Sequence, residues 1–181
     1  MSSDLPQHLI GLPVLTILPP WGTCVARWEK RHENRGGPPP RAYEGKRLGI
    51  HQGKMDFLPD GRLRANARMQ EVDATIGDLV RERRIDIPGE DALAQVIADA
   101  SMLLAFVTVA DALQVHHDHA VSLWRNPGRK VDIDKWMVPG QVAWHFTERE
   151  ALSAPILLSG LQGIWRITHE RREAALQAQA K

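Results

Sequence analysis

Short apolar runs, each ended by proline or glycine, dominate the first third of the chain. Residues 12–21, LPVLTILPPW, form such a run and predict a buried strand that stops at the proline pair. WGTCVARWEK follows with apolar residues near helical spacing, which predicts one short helix. HENR at residues 32–35 predicts a brief strand, and the loop GGPPPRAYEG after it predicts no regular structure. Residues 46–53, KRLGIHQG, predict a second buried strand.

The hydrophobic period changes between residues 55 and 100. Apolar residues recur there at helical spacing with charges between them, which predicts an amphipathic helix. They are Met69, Val72, Ile76, Leu79 and Val80. IPGED breaks this helix, and Asp91 is a candidate cap for a second one. Residues 55–100 therefore read as a helical insertion between strands.

The β pattern returns in the last part of the chain. Residues 101–115 are rich in valine and predict a strand, and the two segments QVAWHFTEREAL and GLQGIWRITHE predict more. Residues 116–140 predict a long ordered loop that carries Trp124 and Trp136. Residues 169–181 predict a C-terminal helix. Strands scattered among helices indicate an α+β class and a single domain over residues 1–181, most simply a small mixed β-barrel with flanking helices.

Composition adds little to this picture, but local charge adds more. The net charge is +1, and no apolar run is long enough to span a bilayer. The first residues lack the pattern of a signal peptide, and one cysteine fits a reducing compartment, so we expect a soluble, cytoplasmic protein. Residues 27–54, however, carry eight lysines and arginines against three acids. This excess is either a solvated basic face or a footprint for phosphate or another anion.

Lys30, Glu33 and Arg35 form the most informative part of that segment. In an extended strand, Glu33 and Arg35 point to the same side, and Lys30 at the preceding helix end can reach it. Such a group can hold a polar ligand, and a partly buried lysine can also act as a base or nucleophile. The same residues could equally form a buried ion-pair network that ties the helix to the strand.

Three segments together resemble the ASCH domain family of the PUA-like superfamily. The first has a "PPW" turn at Trp21, a helix, and then a K-x-x-E-x-R motif at Lys30, Glu33 and Arg35. The second is RLGIHQGK, with Ile50 and His51, and the third is GLQGIW, at residues 160–165. Trp28 stands where the family usually has glycine, and residues 55–135 do not align with it.

The resemblance implies a barrel that binds RNA or a modified nucleoside in a cleft between the first helix and the sheet. Some ASCH proteins are amidohydrolases acting on N4-acetylcytidine, with the motif lysine, a threonine at the position of Glu33 and a distant glutamate. By this resemblance Lys30 and Glu33 are candidate catalytic residues, but the glutamate at position 33 departs from the enzymes. A ribonuclease is a further possibility, and so is an adaptor that binds a protein partner through the helical insertion.

The remaining candidates lie near the expected cleft. Trp21 is either a stacking platform for a base or a core residue. His51, at the end of a buried strand, is a candidate ligand contact or a satisfied core histidine, and Lys54 is expected to be exposed and free to meet phosphate. We expect no metal at the HHDH run of residues 116–119, because adjacent loop histidines seldom converge on one ion. Cys24 is expected to be packed, and no cofactor is predicted.

Overall fold

The chain folds as an α+β protein built on one curled, mixed β-sheet. The computed structural model describes residues 7–56, 67–118 and 120–179, and within those ranges it has eight strands and four α-helices. The strands are β1 (Pro13–Ile17), β2 (His32–Arg35), β3 (Arg47–Gln52), β4 (Met102–Val115), β5 (Val121–Leu123), β6 (Asn126–Val131), β7 (Val142–Leu157) and β8 (Ile164–Arg166). The helices are α1 (Trp21–Arg27), α2 (Ala67–Arg81), α3 (Gly89–Ala98) and α4 (His169–Gln179).

The sheet runs in the order β2-β7-β4-β3-β1-β8. β1 pairs with β3 in parallel, and the other pairs along the sheet are antiparallel. β5 leaves the end of β4 and forms a hairpin with β6. Arg35 on β2 donates a hydrogen bond from Nη2 to the carbonyl oxygen of Thr16 on β1, at 3.4 Å. β2 is the strand at one end of the sheet, and β1 lies next to β8 at the other end. The contact between them shows that the sheet curls into a half-barrel with a seam between its ends.

α1 packs inside this curl. Its residues Val25 and Ala26 are buried together with the inward side chains of β1, β3, β4 and β7. The opposite side of the helix, at Cys24, packs against α2, α3 and Trp136. Burial raises the pKa of the Cys24 thiol to about 12, which agrees with the expectation of a packed cysteine. The helix is therefore fixed on two sides, and its first residue, Trp21, is held at the seam.

The elements predicted at the two ends of the chain are confirmed. β1, α1, β2 and β3 lie where the apolar runs predicted them, and α4 covers most of the predicted C-terminal helix. α4 contributes Ala175 to a cluster on the outer face of the sheet with Trp165 and Phe106. No helix in the described part of the chain is both long and apolar enough to cross a membrane.

Three local predictions are wrong. Residues 116–140 contain the β5–β6 hairpin rather than only a loop, because the side chain of Val121 on β5 is buried in an apolar cluster with residues of β4 and β7. α3 begins at Gly89 with Pro88 at its cap position, so Asp91 lies in the first turn instead of capping it. The loop after β2 includes one turn of 3-10 helix, Arg41–Tyr43. In the predicted helical insertion, α2 and α3 are both present between β3 and β4, while residues 57–66 lie outside the described residues.

Candidate functional site

A cleft of about 790 Å³ opens at the seam of the half-barrel. Five of the six residues predicted from the sequence line it, together with the glycines and Gln162 of the GLQGIW segment. These five are Trp21, Glu33, Arg35, His51 and Lys54. They come from α1, β2, the end of β3 and the residues just after it, so the fold brings together side chains that are up to 33 positions apart in the sequence. The sixth residue, Lys30, does not line the cleft.

Glu33 and Arg35 share one side of β2, as predicted for an extended strand. β2 pairs antiparallel with β7, which fixes this register and turns both side chains toward the seam. The Nε atom of Arg35 lies 3.2 Å from the Oε1 atom of Glu33. The N–H at Nε is buried and nevertheless makes no hydrogen bond within the described residues. About a third of the Arg35 side chain remains exposed.

Lys30 lies behind Glu33, away from the cleft. Its side chain is 1% exposed, and its Nζ donates to the Oε2 atom of Glu33 at 2.9 Å and to the carbonyl oxygen of His32. The ammonium also lies 5.7 Å from the centre of the Trp21 ring, within cation–π range. Lys30 thus orients Glu33 and Trp21 from the rear, and Glu33 is the member of the Lys30–Glu33 pair that faces the cleft.

The cleft favours an anion. Among its described lining residues, three carry positive charge and one carries negative charge. The positive residues are Arg35, Lys54 and Arg68, and Glu33 is the negative one. Lys54 is exposed, as expected from the sequence. Arg68, at the start of α2, was missed because it lies in a segment without a recognisable motif. Its only sequence signal is a positive charge at the start of a helix, and such charges are common on solvated surfaces.

His51 closes the floor of the cleft and has both ring nitrogens engaged. Its Nε2 lies 2.8 Å from the carbonyl oxygen of Leu158, which can only accept, so Nε2 carries the proton. Its Nδ1 then accepts from the Thr16 hydroxyl at 3.2 Å, and that hydroxyl accepts from Trp165 Nε1 at 2.9 Å. Burial lowers the pKa of His51 and keeps the ring neutral.

Gly160 and the chain of hydrogen bonds through Thr16 make the floor rigid. A Cβ atom at Gly160 would lie 2.4 Å from the His51 ring, so only glycine fits against it. This close approach gives a physical reason for the first glycine of the GLQGIW segment. His51 therefore contributes the surface of its ring to the cleft, while both of its nitrogens are hydrogen-bonded to residues of the floor.

Trp21 is packed against the core and also lines the cleft. Its ring is partly buried and packs against apolar residues of both cores that flank α1. It also lines the cleft. The packing restrains the ring, and a restrained aromatic surface at a cleft wall can stack on a planar ligand with little loss of side-chain entropy.

The HHDH run contributes to a turn. His116 Nε2 lies 3.1 Å from the Ser122 hydroxyl, and Asp118 accepts from the amide of Ala120 at 3.0 Å. His119 lies outside the described residues. Across the described ranges 7–56, 67–118 and 120–179, no group of three His, Cys, Asp or Glu residues could hold a metal ion.

No family model matches this chain, and no curated protein matches it.

Proposed function

We propose that this chain is an ASCH-like protein of the PUA-like type that binds RNA or a modified nucleoside in the seam cleft. The observation that carries the proposal is the cleft itself. Trp21, Glu33, Arg35, His51 and Lys54, which the sequence resemblance nominated, all line it. Its volume lies in the range of ligand pockets, about 300–1,000 Å³. A half-barrel is also what an incompletely closed PUA-like barrel would present.

The chemistry of the lining suits a nucleotide. Arg35, Lys54 and Arg68 can meet phosphate oxygens, and the fork of Arg35 can do so with two hydrogen bonds. Trp21 offers a surface on which a base can stack, and Gln162 adds an amide that can read the edge of a base. An aromatic wall, cations and an amide in one cleft can recognise a base and its phosphate together.

An amidohydrolase acting on N4-acetylcytidine-like nucleosides is the second candidate, because Lys30 and Glu33 occupy the motif positions. The position of Lys30 argues against its acting as the base or nucleophile, since Nζ is buried and engaged by Glu33 and His32. In this candidate Glu33 would have to transfer the proton from the cleft wall. Release of acetate from N4-acetylcytidine, lost in Glu33→Gln, would establish the reaction, whereas binding without release would leave the chain a binder.

A cytoplasmic location and a protein partner are part of the wider proposal. The location rests on the single cysteine, which is buried and cannot pair within the chain. An adaptor role would use α2 and α3, but their apolar side chains pack against α1 and Trp136. We therefore favour the cleft over the surfaces of α2 and α3 as the binding surface.

Salt dependence of RNA affinity tests the proposal. We expect the logarithm of the binding constant for a single-stranded RNA to fall linearly with the logarithm of salt concentration. Arg35→Gln should reduce that slope by about 0.7 and weaken binding by about tenfold, because one phosphate contact is removed. Arg129→Gln, on the exposed strand β6, is the matched control for loss of one positive charge. Equal effects of the two substitutions would contradict a site at the cleft.

A further inference from the structure

A second groove continues the cleft along the seam of the half-barrel. It has a volume of about 500 Å³ and lies between the β1–β8 end of the sheet and the loop that follows β2. Its walls are Leu15, Gly37, Pro38, Pro40, Tyr43, Trp144 and Ile164, with Arg35 and Gly163 at the side facing the cleft. Apart from Arg35, the lining has no charged residue within the described part of the chain. We call it the proline groove.

Arg35 and Gly163 belong to both the cleft and the proline groove. The guanidinium of Arg35 therefore stands at the boundary between a cationic space and an apolar one. It lies 5.8 Å from the centre of the Trp144 ring, which helps to hold it there.

The hydrogen-bonding capacity of Arg35 is largely unused. A guanidinium has five N–H donors, and within the described residues only Nη2 makes a hydrogen bond, at a long 3.4 Å to Thr16. Nε is buried and makes none. Nε does face the Glu33 carboxylate, 3.2 Å from Oε1, so the donors left for a ligand are those of the two terminal nitrogens. The remaining donors suit the two oxygens of a phosphate.

The walls of the proline groove are fixed in place, and Tyr43 is the aromatic residue that a ligand can reach, since Trp144 is only 6% exposed. Trp144 is held by a hydrogen bond from its Nε1 to the carbonyl oxygen of Gly37, at 2.8 Å. The backbone amide of Tyr43 donates to the carbonyl oxygen of Pro40, at 2.9 Å, and fixes the turn that carries the tyrosine. Proline restricts the backbone on both sides of this turn. Rigid aromatic and proline walls lower the entropy lost when a planar ligand is bound.

We propose that the ligand is a dinucleotide step of single-stranded RNA, with one base in the cleft, its neighbour in the proline groove, and the linking phosphate on Arg35. This inference rests on the proposed function and narrows it. A free nucleoside fills the cleft but leaves both the proline groove and the donors of Arg35 empty. Two splayed bases joined by one negative charge match an aromatic site on each side of one arginine.

The test compares ligands that differ by one group. Binding of a nucleoside, its 5′-monophosphate and the matching dinucleoside monophosphate is measured by calorimetry for each of the four bases. A dinucleoside with an uncharged methylphosphonate link completes the set. We expect the best dinucleoside monophosphate to bind about tenfold more tightly than its mononucleotide, the contribution of one stacked base. The uncharged link should remove most of this gain.

Two variants locate the gain in the structure. Tyr43→Ala should bring the affinity of the dinucleoside monophosphate down to that of the mononucleotide, and Arg129→Gln should leave the gain intact. The unfolding midpoint of each variant shows whether it is folded, and the methylphosphonate comparison needs no variant. Equal affinity of mononucleotide and dinucleotide would overturn this inference and leave the proposed function standing. Failure of every ligand to bind would overturn both.

Discussion

Two ionic clusters flank α1, and they differ in how completely their donors are used. Arg27, at the end of α1, binds Asp99 through two hydrogen bonds of 2.8 and 2.7 Å. The carboxylate of Asp99 also accepts from Thr23 at 3.0 Å and from Gln95 at 3.1 Å, so each oxygen accepts two bonds. This Arg27 cluster ties α1 to α3 and leaves Asp99 1% exposed.

The cluster of Lys30, Glu33 and Arg35 contains the same kinds of residue in a different state. Lys30 donates two hydrogen bonds, whereas Arg35, although paired with Glu33, makes one long hydrogen bond from five donors within the described residues. If the proposed function is correct, burial and charge alone do not separate a structural ion pair from a ligand site. The feature that distinguishes the two clusters is the number of unused donors that face a cleft.

Removal of Asp99 should have the largest effect on stability. Asp99→Ala leaves Arg27 and Gln95 without this acceptor, while Thr23 keeps Gln52 at 2.9 Å, and breaking a buried pair in this way costs about 3–5 kcal/mol. Urea denaturation measures the loss. Arg47→Ala is the control, because Arg47 pairs with Glu150 at an exposed site and such pairs contribute at most about 1 kcal/mol. A loss below that of Arg47→Ala would mean that the Arg27 cluster is not structural.

Lys30→Met should destabilise the chain by about 3 kcal/mol, because it removes the closest partner of the buried Glu33 carboxylate. The double variant Lys30→Met/Glu33→Gln should lose less than the sum of the two single variants, since it also removes the stranded charge. Urea denaturation of the unaltered chain and of all three variants gives the free energies of unfolding for this double-mutant cycle. Strict additivity would show that the two residues do not act as one unit and would break the comparison with the Arg27 cluster.

The buried His32, whose carbonyl oxygen accepts from Lys30, should make the stability of the chain depend on pH. Burial, and then the neighbouring His145 at 2.9 Å, lower its pKa from 6.5 to about 4, while Asp134 opposes the shift. Because the folded pKa lies below the unfolded one, the unfolded chain takes up the proton first. Stability should therefore be complete above about pH 6.5 and fall by up to about 3 kcal/mol by pH 4.

The free energy of unfolding, measured from pH 7.5 to 4, checks this loss. His145→Gln removes the second cause of the shift and should make the decline shallower. His32→Gln should remove the contribution of His32 and leave that of His145, whose pKa burial also lowers. If His32→Gln declines as steeply as the unaltered chain, the pH dependence arises elsewhere and His32 plays no part in it.

Much of the cleft could be predicted because its signals are local. Strand alternation is enough to place Glu33 and Arg35 on one side of β2, and the apolar run before Gly53 is enough to predict β3. The meeting of the two chain ends is different, because pairing between β1 and β8 joins Val14 to Trp165. No local pattern encodes that contact, and only the resemblance of the three segments suggested it.

The parts that could not be predicted depend on long-range packing. Lys30 was expected at the cleft, yet it lies behind Glu33, because α1 is pressed into the curl of the sheet and draws its end inward. Asp99 joins Arg27 from 72 positions away, which no spacing rule can reveal. Tyr43 lies in a segment whose prolines indicated only a loop, although those prolines build a wall of the groove.

The smallest effect is expected at Glu29, the residue between the two clusters. Glu29 lies two residues after the end of α1 with φ at +61°, a conformation that favours glycine, although the resemblance suggested a glycine one residue earlier, at Trp28. Glu29→Gly and Glu29→Ala both remove the pair with Arg149, at 3.1 Å, so their difference isolates the backbone. The glycine variant should be the more stable of the two by about 1 kcal/mol in urea denaturation. Equal stability would show that the turn into Lys30 is unstrained, in which case the inward position of Lys30 would follow from its partners alone.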